Sequence, residues 1–131
     1  MKLRSAGLFA IGLVAVTAAQ ALGSGQWNRT GSMNVAREGH TSTLLSNGEV
    51  LVAGGNNSTF GSGYLASAEL YNPATGIWML TGNMNVPRES HQAVLLQNGQ
   101  VLVAGGENAS GTLASAELTT PQPAPGQQLA A

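Results

Sequence analysis

His40 and His91 are the only histidines in this 131-residue chain, and they stand 51 positions apart. Each follows an Arg-Glu pair, Arg37-Glu38 and Arg88-Glu89. Two imidazoles can ligate a metal, and two guanidinium groups can receive an acidic ligand. Ser90 beside His91 puts a hydroxyl next to a base. Each residue also has a plainer use. Metal sites recruit further ligands of unlike type. A serine triad needs an oriented base and acid, which sequence adjacency does not supply. The expectation is therefore structural: each histidine makes the same hydrogen bond within its own repeat. Each arginine bonds loop carbonyls and tethers neighbouring units. No catalytic residue, metal ligand or cofactor is assigned.

Composition narrows the chemistry further. The chain has no cysteine, and all six acidic residues are glutamate. This excludes disulfides, thiolate nucleophiles and thiolate metal sites. Charged residues make up only 8%, and the formal net charge is −1. Nothing in that balance attracts nucleic acid or an anionic membrane.

The first residues read as an address rather than as part of the fold. Lys2 and Arg4 precede the apolar run Ala6–Ala19, and small residues follow at Ala19 and Ala21. That is the layout of a secretory signal peptide over residues 1–21, an apolar helix cleaved after Ala21. The run is short for a bilayer span of about 20 residues. The expected location is secreted, extracellular or periplasmic, with no stable membrane span after cleavage.

The 51-residue spacing extends well beyond the histidines. From Trp27 to Asn57, 20 of 31 positions are identical to those 51 residues on. Trp27 falls on Trp78, and Gly54-Gly55 on Gly105-Gly106. "LASAEL" recurs with an offset of 48, so three residues are missing from the preceding loop. A length change confined to a loop is the mark of a structural repeat. Each repeat reads as four short strands: His40–Leu45, Val50–Ala53, Ser67–Tyr71 and Ile77–Leu80 in the first. Asn47-Gly48 and Asn98-Gly99 predict type I′ hairpin turns. "NPATG" at 72–76 predicts a second turn. "VLVA" is apolar at every position, so both faces of that strand require cover.

These features resemble the kelch repeat: the apolar run ending in Gly-Gly, the downstream "AELYNPATGIW", and Met-x-x-x-Arg-x-x-His. The resemblance implies an all-β chain of β-propeller blades, each a four-stranded antiparallel sheet, in an incomplete ring of about two blades. Under this reading residues 22–121 hold two repeats. A strand at 26–30 belongs to a preceding blade, 40–80 form a blade, and 91–118 form an incomplete one. Residues 122–131 form a disordered Pro/Gln/Ala tail. The repeat-structural residues are Trp27, Arg37, His40, Gly54, Gly55, Glu69, Tyr71, Trp78, Arg88, His91, Gly105, Gly106 and Glu117. Propellers have typically 4–8 blades, so two leave open faces. A longer propeller, of which this is a fragment, a self-assembling ring of two-blade protomers, or docking on another protein would cover them, and a marginal two-blade monomer would leave them bare.

Function follows from the loops. "NNSTFGSGY" at 56–64 joins amides and hydroxyls to aromatic rings, which suits a protein or carbohydrate partner. Asn56, Asn57, Phe60 and Tyr64 are the ligand-binding candidates. The expected function is a non-catalytic interaction module. The resemblance also admits a remnant of a galactose-oxidase-like propeller. That chemistry uses a tyrosine crosslinked to a cysteine, which this chain lacks.

Overall fold

The computed structural model describes residues 25–60, 63–123 and 126. The expected signal helix and most of the tail lie outside the described residues. What is described is all-β apart from one short 3-10 turn at Ser58–Phe60. Strands β1 (Thr41–Leu44), β2 (Val50–Ala53), β3 (Ala68–Asn72) and β4 (Ile77–Leu80) form one antiparallel sheet in sequence order. A second sheet comprises β5 (Gln92–Leu95), β6 (Val101–Ala104) and β9 (Ala116–Thr119), in the order β5-β6-β9. Between β6 and β9, β7 (Glu107–Asn108) and β8 (Gly111–Thr112) form a small hairpin. This hairpin stands where the first repeat has the loop at 56–64. Gly111, with φ of 105°, permits the tight reversal that lets it pair.

The hairpin loops depart from the expected type I′ turn. Gly48 takes φ of 88°, but Asn47 does not join it: Ser90 is the only positive-φ residue other than glycine among the described residues. The Gly48 amide donates to the Leu45 carbonyl at 3.0 Å, and the Leu45 amide to the Glu49 carbonyl at 2.8 Å. That is a three-residue loop, a type I turn ending in a left-handed glycine bulge. The Asn47 side chain instead accepts from the Glu49 amide at 3.0 Å. The second repeat closes the same way at Gly99.

Register explains the core. Thr43, Leu51, Leu70 and Met79 form one row across the first sheet, facing the second. Against it lie Val101 and Val103, with Ala93 and Leu95 partly buried beside them. β1 runs next to β5 at the inner edge of the pair. Leu70 and Val101 are completely buried. Each such side chain contributes roughly 1.5–3 kcal/mol by leaving water. This packing covers one face of each all-apolar "VLVA" run with the other sheet.

Residues 26–30 form no strand, and Trp27 is fully exposed. In the repeat this segment corresponds to β4, which pairs with β3. Within the chain, the outer edge of β3 is already taken by β4, so the segment has no edge to join there. The tail is also less free than expected at its start. Pro123 bridges Thr81, whose hydroxyl donates to the Gln122 carbonyl.

Candidate ligand-binding site

The loop end of the first blade is held by a bonded scaffold built from the segment "MNVAR". Arg37 donates through Nη1 to the carbonyls of Gly54 and Ser67, at 2.8 and 2.9 Å. Its Nη2 meets Glu69 Oε1 at 3.0 Å, and both side chains are completely buried. Glu69 also accepts from the Asn34 amide, the Asn34 side chain and the Val35 amide, at 2.8–3.0 Å. Burial alone would raise the Glu69 carboxyl pKa. The Asn34, Val35 and Arg37 donors outweigh burial and hold it below the ordinary value. The second blade copies this with Arg88, Glu117, Asn85 and Val86. Glu117 is lowered for the same set of reasons, but its side chain remains partly exposed.

Arg88 reaches across the joint. Its backbone bonds the first blade, the amide to the Leu65 carbonyl and the carbonyl from the Gly55 amide. Its side chain bonds Gly105 and Ser115 of the second. Arg37 ties its own lead-in segment to its own blade. The histidine bond differs from expectation: it crosses between the blades. His91 Nε2 meets the Thr41 hydroxyl on β1 at 2.9 Å. Repeat equivalence identifies matching positions but not partners, and the partner here belongs to the other sheet. Burial, then the Arg88 and His40 charges, push the His91 pKa down.

The chain leaves this scaffold at the 3-10 turn Ser58–Phe60 and is described again from Gly63. Asn56 bridges Glu38 on one side and Tyr64 on the other. Its amide donates to the Glu38 carbonyl at 2.7 Å and its carbonyl accepts from the Glu38 amide at 2.9 Å. The Asn57 amide donates to the Gly63 carbonyl at 2.8 Å. Asn57 Oδ1 receives the Thr59 amide at 3.1 Å, opening the 3-10 turn. Asn56, Asn57 and Tyr64 therefore come together. Phe60 sits in the turn by its backbone, and its side chain lies outside the described residues. Asn56 Oδ1 is buried with no partner.

Ala36, Arg37, Glu38, Asn56, Asn57 and Ser58 line an open depression of about 300 Å³ beside this bridge. Glu38 is the site residue that sequence reading missed. Its recurrence as Glu89 was visible, but its pairing with Asn56 was not. In the second repeat, Glu89 and Glu107 bridge at the equivalent place, and Asn108 donates to the Pro87 carbonyl at 2.9 Å. The two loop ends thus differ: amides line the first, while a second carboxylate replaces Asn56 in the other. Among the described residues no group of three or more His, Asp or Glu is placed to hold a metal ion.

A family model for the kelch motif matches residues 39–85, the whole first blade with its flanking glycines and the lead into the next. The first blade is a kelch repeat. Glu69 and the Gly54-Gly55 corner fall within the match, and Arg37, which pairs with Glu69, lies two residues before it; Arg88, Glu117 and Gly105-Gly106 are the equivalents 51 or 48 residues on. A kelch motif points to a module for protein interaction. None of the curated proteins matches the chain. No helix among the described residues is long and apolar enough to cross a membrane.

Proposed function

We propose that the chain is an exported, non-catalytic kelch module that binds a protein or glycan at the loop end of its first blade. The observation that carries this is the depression between Glu38 and Asn56–Ser58. It offers a carboxylate, amides and a hydroxyl on backbone fixed by paired bonds on both sides. Groups held this way lose little freedom when they bond a ligand. The non-catalytic reading is supported by Arg37 and Arg88, which are committed to ion pairs with Glu69 and Glu117, and by His91, which is bonded to Thr41.

Titration with neutral oligosaccharides and with folded extracellular protein domains, read by calorimetry, tests the site. Glu38→Ala and Asn57→Ala should each weaken binding at least tenfold with the melting temperature unchanged. Full affinity in both variants removes the site. Oxidase turnover after copper loading overturns the non-catalytic part of the reading.

A further inference from the structure

Each sheet has one face that the other sheet does not cover. On the second sheet the uncovered row is Val94, Leu102 and Leu118. These are the repeat equivalents of Thr43, Leu51 and Leu70, the row buried inside the chain. Leu70 is 0% exposed and Leu118 is 54% exposed. On the first sheet the far row holds Leu44 and Val50, equivalents of Leu95 and Val101. Leu44 is 66% exposed, whereas its equivalent Leu95 is partly buried against the core. The two open faces therefore carry the two halves of the one interface the chain already makes. Neither row contains a charged residue to oppose the contact.

The backbone groups tell the same story. The Gly55 amide donates to the Arg88 carbonyl at 2.8 Å, while the equivalent Gly106 amide has no hydrogen-bond partner among the described residues. A Cβ at Gly54 would lie 2.5 Å from the Arg88 carbonyl oxygen, but at Gly105 the nearest atom is 3.7 Å away. The Trp78 indole donates to the Gly31 carbonyl at 2.8 Å. A Cβ at Gly31 would collide with the Gly76 carbonyl oxygen, whereas at Gly82, its counterpart, a Cβ would meet nothing within 4 Å. Among the described residues the outer edge of β9 pairs with no strand, and the segment around Trp27, which corresponds to β4, pairs with none either.

We infer that the occupant of the open face is a second copy of this chain, joined head to tail. Residues 26–29 of one copy add as the fourth strand on β9 of the next. The register of β3 against β4 carries over, setting Trp27 opposite Thr119 and Arg29 opposite Glu117. The Leu44 and Val50 face of the first copy then covers Leu102 and Leu118 of the second. A head-to-tail contact forms a ring where its rotation closes. Propellers hold typically 4–8 blades, so about two to four copies complete one.

The joint involves no ligand, so it stands or falls apart from the binding site. Sedimentation of the purified chain should show one discrete species of two to four protomers. Trp27→Ala damages only the incoming strand, and Leu118→Lys only the receiving face. Each variant alone should run as a monomer with an unchanged far-ultraviolet spectrum. Mixed, they should form a one-to-one dimer, because each supplies the half the other lacks. A monomeric wild-type chain, or a wild-type mass that neither substitution alters, overturns the proposal. So does a mixture that stays monomeric.

Discussion

Leu70 and Leu118 occupy the same place in two copies of one repeat, yet one is completely buried and the other more than half exposed. Their strands have the same register and nearly the same sequence. What differs is the neighbour: the first sheet has the second beside it, and among the described residues no sheet covers the far face of the second. The same contrast separates Glu69, sealed from solvent, from Glu117, partly open. Burial in a repeat fold belongs to the stack of blades rather than to any one of them.

The sharpest way to break this comparison is to remove one carboxylate from each ion pair. Glu69→Ala leaves Arg37 charged and buried, a loss of about 3–5 kcal/mol. Glu117→Ala should cost distinctly less, because water reaches that pair. Urea denaturation of both variants measures the gap, and equal losses would mean the two blades are equally closed.

The leucines come next. Leu70→Ala should cost about 2–5 kcal/mol for a buried deletion. Leu118→Ala should cost under about 1 kcal/mol in dilute solution, as surface substitutions do. Its cost should rise toward the Leu70 value at concentrations where copies associate.

Acid should act in two stages. The His91 pKa is lowered, so its contribution is present above its ordinary value of 6.5 and is lost as pH falls through the depressed value. The Glu69 and Glu117 contributions are present above 4.5 and fade below it. Melting temperature followed from pH 8 to 3 should therefore fall in two steps, and His91→Gln should remove the first.

The smallest effect concerns Ser90, which holds φ of 56° where the first repeat has Gly39 at 62°. A left-handed conformation costs about 1–2 kcal/mol for a residue with a Cβ. Glycine gives back part of that in chain entropy. Ser90→Gly should raise stability by a few tenths to about 1 kcal/mol. An unchanged or lower melting temperature would show that the serine is not strained.

Much of the fold is legible in the residues themselves. "VLVA" locates β2 and β6 to the residue, because an apolar run ended by Gly-Gly leaves little freedom in placing a strand. "AELYNPATGIW" locates β3, its turn and β4 for similar reasons. The turn type at Asn47 is not legible there, since Asn-Gly serves both a two-residue and a three-residue loop. The Thr41–His91 bond is hidden because it joins positions that the repeat does not equate. The site is legible only in part. Asn56, Asn57 and Tyr64 stand out by composition, but Glu38 becomes their neighbour only once a backbone bridge closes over 18 residues.

Arg88 grips one sheet by its main chain and the next by its guanidinium, six bonds in all counting both ends. Two planks fastened through one such bracket cannot swing like a door. In the inferred ring, the wedge angle held at that bracket would decide how many slices fill the circle. A mutation there would then alter the arithmetic of the whole assembly, even though it touches neither its hub nor its rim.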